Sequence, residues 1–154
     1  MKQICIYIFI LLLIISSALS GQGEGISAIS DNSYETDEIR LFLTPDDFSM
    51  IEEMIFKSST ALRGRLEISS TDDENIEIIY HKVLYANSRE QAEEFAPLIS
   101  LNHEVKENSL IISADAPRDA PWRRTANLSG QIECEIYLPL QFSISLDSVV
   151  GYYL

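Results

Sequence analysis

After Gly130 the chain alternates strictly: Ile132, Cys134, Ile136 and Leu138 share one parity, and Gln131, Glu133, Glu135 and Tyr137 share the other. Successive side chains of an extended strand point to opposite faces, so this period of two gives one apolar and one polar face. A helix of the same sequence would scatter both sets around its circumference. The segment therefore predicts a strand buried on one side, which needs neighbouring strands to satisfy its backbone.

The same pattern recurs along the chain. Arg65-Leu66-Glu67-Ile68-Ser69 alternates, the polar run Ser70 to Asn75 supplies a turn, and Ile76-Glu77-Ile78 leads a β-branched and aromatic run to Tyr85. These features predict a hairpin. Ser88-Arg89-Glu90-Gln91 has the spacing of a capping box, with Ala92, Phe95 and Ala96 on one helical face and Pro97 close behind, which predicts one short helix at about 88–96. Ile99, Leu101, His103 and Val105 alternate again, Glu107-Asn108 turns the chain, and Leu110 to Ala114 forms a second hairpin with them. Phe142, Ile144 and Leu146 repeat the alternation after Pro139. Thr44-Pro45-Asp46-Asp47 marks a turn or helix start. Phe48 to Phe56 fits either period: Phe48, Ile51 and Ile55 suit a helix, while Met54 and Phe56 suit a strand. The expected fold is mainly β, with antiparallel strands forming a sandwich-like or incipient β-solenoid domain and one short helix between hairpins.

Residues 1–20 read as a secretory signal peptide. Lys2 precedes an apolar run from Ile4 to Ile15, and the small residues Ala18 and Ser20 flank a cleavage site at the Ser20/Gly21 bond. The run falls short of the ~20 residues that span a bilayer as a helix, so no stable membrane span is expected after cleavage. Gly21 stands where a lipoprotein would carry Cys. Residues 21–38 are rich in Gly, Ser, Asp, Asn and Glu and are expected to form a flexible N-terminal segment ahead of a single β-rich domain over 39–154.

The whole chain has 11 Lys and Arg against 24 Asp and Glu, a formal charge of −13. Loss of Lys2 with the leader leaves the exported chain slightly more negative still. Such a surface repels nucleic acid and anionic lipid. Cys5 leaves with the leader, and Cys134 then has no partner for an intramolecular disulfide.

Residues 60–154 resemble the putative adhesin family of bacterial envelope proteins, whose domains carry β-strand repeats and have no assigned function. The resemblance rests on Gly64-Arg65-Leu66-Glu67-Ile68, Ile76-Glu77-Ile78, Leu110-Ile111-Ile112, and Gln131 to Pro139 followed by Phe142-Ser143-Ile144-Ser145-Leu146. It implies short strands stacked as a β-solenoid, and an extracytoplasmic role through contacts with an envelope protein or glycan. The family's stacked repeats would begin near Gly151, where this sequence holds at most one rung. That departure implies a short variant with another cap, or a truncated frame.

Catalytic machinery is not expected. His81 and His103 lie in strands among apolar neighbours, where packed or surface histidines are the ordinary outcome. Cys134 shares its face with Ile132 and Ile136 and reads as core. No nucleophile-elbow serine, phosphate-cradling loop or clustered metal-ligand spacing is present, so no cofactor and no metal is expected. Asp72-Asp73-Glu74-Asn75 offers hard oxygens but lacks the spacing of a calcium loop. The loop from Asp115 to Ser129 holds Trp122 with Arg118, Arg123 and Arg124, a composition enriched at binding hot spots, and is the expected contact surface. Asn127-Leu128-Ser129 is a glycosylation sequon only for a eukaryotic secretory protein. The competing readings are a hydrolase or carbohydrate-active domain using Glu133 and Glu135 on one strand face, and a non-functional remnant of a longer repeat protein.

Overall fold

The structure, a computed structural model, describes residues 25–48, 50–147 and 152–153. The signal-peptide reading of residues 1–20 lies outside the described residues, and the rung expected near Gly151 lies partly outside them. In chain order the elements are β1 (Ile26–Ser30), β2 (Ser33–Thr36), β3 (Ile39–Leu43), the single turn α1 (Pro45–Phe48), β4 (Glu53–Ser58), β5 (Arg63–Thr71) and β6 (Ile76–Tyr85). There follow α2 (Arg89–Phe95), a 3-10 turn (Ala96–Leu98), β7 (Ser100–Lys106), β8 (Ser109–Asp115), a second 3-10 turn (Pro121–Arg124), β9 (Ser129–Pro139), β10 (Ser143–Asp147) and β11 (Tyr152–Tyr153). No described helix is long and apolar enough to cross a membrane.

Two sheets face each other across one core. The larger runs β1-β2-β6-β9-β5-β11, with β3 also on β6, and the smaller runs β10-β4-β8-β7. Each of three consecutive strand pairs, β4 to β5, β8 to β9 and β10 to β11, passes from the smaller sheet to the larger. Their strands pair in parallel: β4 with β8 and β10, and β5 with β9 and β11. The arrangement is a stack of three β-coils, with β4–β5 in the middle. One end of the stack is covered by a reversed layer, since β6 runs antiparallel to β9, α2 crosses over, and β7 runs antiparallel to β8.

The alternation read from sequence is realised in β9: Ile132, Cys134, Ile136 and Leu138 are buried and the opposite parity is not. Phe48 to Phe56 resolves as a helical turn ending at Phe48 and a strand from Glu53, with Met54 and Phe56 wholly buried. Thr44 begins the turn, and its N–H and hydroxyl donate to the Asp47 carboxylate at 2.7 and 2.8 Å. Those hydrogen bonds hold Asp47 below its ordinary pKa. The Ser88 hydroxyl caps α2 by accepting from Gln91 N, and the Gln91 side chain accepts from Asn87 N at 2.8 Å. The Glu107-Asn108 turn joins β7 to β8 as expected, with Glu107 at φ 55.

Two expectations are corrected. The strands read as one hairpin, β5 and β6, are separated by β9, which pairs with both. Strands about 9–10 Å apart are easily bridged by the four residues 72–75, so a turn signal does not by itself make its flanking strands adjacent. β9 wins the central place because its alternation is long enough to pair along both edges. The segment 21–38, expected to stay flexible, carries β1 and β2 within the described residues. Its order comes from the edge of β6: Ser33, Tyr34 and Glu35 pair with Tyr85, Leu84 and Val83, and the Thr36 hydroxyl accepts from Lys82 N at 3.0 Å. A polar segment with little apolar area of its own is thus ordered by a ready strand edge.

Lys82 is buried on the core side of β6, and its Nζ donates to the Ala96 carbonyl at 3.0 Å, where α2 gives way to the 3-10 turn. A cation at a helix C-terminus meets the negative end of the backbone dipoles. Replacing Ile132, which is fully buried, by Ala is expected to cost about 2–5 kcal/mol. Replacing Val105, exposed on β7, is expected to cost less than about 0.5 kcal/mol. Urea unfolding of the two variants measures the difference.

Candidate functional site

The arches that carry the chain from one sheet to the other meet beside the start of β5. In the first arch, Leu62 N donates to Ser59 O at 3.0 Å, and the Ser59 hydroxyl donates to Ala116 O of the second arch at 3.1 Å. The second arch contains the 3-10 turn at Pro121–Arg124. Trp122 joins the two: its indole N–H donates to the Ala61 carbonyl at 2.9 Å, and its ring meets Phe95 of α2 edge-on at 5.3 Å between centroids. A buried indole with its N–H satisfied is an anchor of packing. Gly130 lies against it so closely that a Cβ there would stand 2.8 Å from the Trp122 ring and from Ile99 Cδ1.

Trp122 is 5% exposed and therefore belongs to the core, which corrects its expected place on a contact surface. Arg118, Arg123 and Arg124 are exposed. Arg123 donates to the Arg118 carbonyl at 2.7 Å, which fixes its position at the rim of an open cleft of about 1040 Å³. Arg63 and Arg65 of β5 line the same cleft, with Asn127, Gln131 and Glu133. Neither Arg118 nor Arg124 lines it. The two β5 arginines were missed from sequence because Arg63-Gly64-Arg65 reads as the outer parity of an ordinary strand. Nothing local tells that this strand lies beside the Trp122 turn.

The three guanidinium groups differ in how far they are compensated. Arg65 is paired with Glu67 and stands level with Glu133 on β9. Arg63 stands level with Gln131 and makes no ion pair among the described residues. Arg123 is hydrogen-bonded to a neutral carbonyl. In a chain of charge −13, the cleft therefore gathers cationic donors and amides at one place.

The outer face of the larger sheet carries the carboxylates considered for hydrolysis. His81 Nε2 lies 3.8 Å from Glu35 Oε1 and 3.9 Å from Glu133 Oε2, too far for hydrogen bonds. Glu135 accepts from the Tyr137 hydroxyl at 3.1 Å, a bond that raises the tyrosine pKa. The depression among Glu38, Arg65, Glu67, His81, Glu133 and Glu135 holds about 70 Å³. That is room for a few waters, well below the roughly 300–1,000 Å³ of ordinary ligand pockets. Glu133 and Glu135 share the outward parity of β9.

The remaining candidates have structural surroundings. His103 is exposed on β7 opposite Ile112. Asp73 Oδ1 accepts from Asn75 N at 3.0 Å and Asn75 Nδ2 at 2.9 Å, closing the turn after β5. Among the described residues no group of three or more His, Cys, Asp or Glu is placed to hold a metal ion. Cys134 is buried, and desolvation first, then the charge of Glu135, pushes its thiol up to about 12.

No protein-family model matches this chain, and no curated protein matches it. One solved structure that it resembles is described as a "putative cell adhesion protein" from Clostridium sporogenes, at 16% identity and a TM-score of 0.42. The match covers 71% of this chain and 45% of that protein.

Trp122→Ala is expected to destabilise the fold by about 3–5 kcal/mol in denaturant titrations, the cost of a large core truncation. In the chain beginning at Gly21, Cys134 is expected to stay unmodified by an aromatic disulfide reagent at pH 8 and to react fully once the protein is unfolded. Thiolates are the reactive form, and a thiol titrating near 12 supplies almost none at that pH.

Proposed function

We propose that this chain is a non-catalytic, extracytoplasmic module of a bacterial cell envelope that works by surface contact, and that the arginine-lined cleft is its contact site. The observation that carries the reading is the concentration of Arg63, Arg65 and Arg123 around one cleft of ligand size in an otherwise acidic chain. The leader-like residues 1–20 and the resemblance of residues 60–154 to envelope adhesins support the location. Guanidinium forks match carboxylates in two parallel hydrogen bonds, so the cleft suits an envelope glycan or protein surface that presents carboxylates. The acidic sheet face around it repels such a partner everywhere else, which confines binding to the cleft.

Two carboxylate polymers, polygalacturonate and polyglutamate, serve as probes in low salt. Binding of at least one by the chain beginning at Gly21 is expected. The Arg63→Glu/Arg123→Glu double variant is expected to lose at least about tenfold in affinity, since it removes two cations and adds two anions at the rim. Glu77→Gln, on the outer sheet face, is expected to leave binding within about twofold. Absence of binding to both polymers, or binding indifferent to the double variant, would remove the cleft from the proposal. Release of shortened polymer, lost in Glu133→Gln, would favour the hydrolase reading instead. Export is tested by the intact mass of native protein from the envelope fraction, where a chain beginning at Gly21 is expected.

A further inference from the structure

We propose that β10 is a self-association edge, onto which a second copy of this chain adds its own β10 antiparallel across a two-fold axis. Among the described residues the smaller sheet has β7 and β10 as its edges. Exposed edges invite pairing, and proteins blunt them with charges or breaks in register. β7 carries exposed His103, Glu104 and Lys106, and β1 at the edge of the other sheet has a register break between Ala28 and Ser30. β10 has no register break, and its one charge, Asp147, stands at its end. Its five residues, Ser-Ile-Ser-Leu-Asp, stay in unbroken register with Glu53 to Lys57 of β4.

The side chains of β10 extend the core to this edge. Ile144 and Leu146 stand level with Met54 and Phe56, both fully buried, yet are themselves 47% and 43% exposed. The inter-sheet apolar layer therefore reaches the edge of the smaller sheet with half its last row in solvent. The backbone supplies the means to continue it. Ser143 N donates to Glu52 O at 2.9 Å, so Ser143, Ser145 and Asp147 direct their backbone groups toward β4. In a parallel ladder the alternate residues direct theirs the other way, which leaves the N–H and C=O groups of Ile144 and Leu146 aimed outward.

The strand is complementary to itself about Ser145. With the two-fold axis at that residue, Ile144 of one copy lies opposite Leu146 of the other, and the two exchange both backbone hydrogen bonds. Ser145 faces its counterpart at the non-hydrogen-bonded position between them. This is the alternation an antiparallel ladder requires. Opposed residues of such a pair share a face, so the four apolar side chains form one row that joins the two cores. Asp147 lies opposite Ser143, so no two acids face each other along the seam even though each copy carries a charge of −13. The interface is isologous and uses the β10 edge of both copies, so growth through this edge stops at two copies.

Sedimentation equilibrium of the chain beginning at Gly21, which contains every strand and core residue described above, tests this over roughly 1–100 µM protein, the range of a weak specific dimer. A monomer–dimer equilibrium is expected. Ser143→Lys places a cation opposite each Asp147 and is expected to tighten it, and Ser143→Asp is expected to weaken it, each by about threefold to tenfold. Both variants lose the same Ser143 hydroxyl contact to Glu52 O, so their comparison isolates the cross-strand charge. Leu146→Lys is expected to abolish the dimer while the thermal melt and circular dichroism of the monomer persist. A monomer at every concentration, a dimer indifferent to both Ser143 changes, or open-ended assembly would overturn the proposal.

Discussion

Strand β9 uses both of its backbone edges at once, parallel to β5 and antiparallel to β6, and the rest of the fold is arranged around that double pairing. A strand with unpaired backbone in a core is costly, and a strand with one apolar face needs a second layer to cover it. β9 meets both demands together. Its pairing with β5 extends the coil stack, and its pairing with β6 turns the stack into a closed end. Its buried parity, from Ile132 to Leu138, supplies much of the larger sheet's contribution to the core. The arches on either side are then held close enough for Trp122 to bond to the Ala61 carbonyl and for Gly130 to admit the indole ring.

What the sequence revealed follows from how local each signal is. Period-two alternation depends on one strand and the sidedness of its burial, so β9 was legible residue by residue, while the β7–β8 hairpin was legible by its turn although His103 and Val105 are exposed. The capping box before α2 is likewise complete within five residues. Pairing partners are not local. The Asp72–Asn75 turn is the same whether its flanking strands touch or admit a third between them, and only the competition for neighbours decides. Residues 26–36 looked flexible because their own apolar content is small, while their order is supplied by β6. Trp122 and its flanking arginines read as a hot spot by composition, but composition does not distinguish a tryptophan turned into the core from one turned outward. The cleft itself needed Arg63 and Arg65, more than fifty residues upstream of Arg123.

The charge pattern makes sense at the level of a single strand. The outward parity of β5 runs from Arg63 and Arg65 to Glu67, so the polarity of the outer face changes sign along it, from cleft to carboxylate field. On the inward side, Lys82 is a buried cation, turned away from this field and bonded to the end of the α2 segment. Basic side chains are few in this chain, and several are set where the backbone or a cleft gives them a defined position.

The order of the coils has a consequence for when the protein can fold. The middle coil, β4–β5, comes earliest in sequence, and its parallel partners β8, β9, β10 and β11 all come later. Pairing Arg63 with Gln131 closes a long loop before any contact rewards it, and topologies dominated by such distant pairings fold slowly. The larger sheet cannot close until β9 has been made. This connectivity by itself holds the chain unfolded longer than one whose neighbouring strands pair as they emerge.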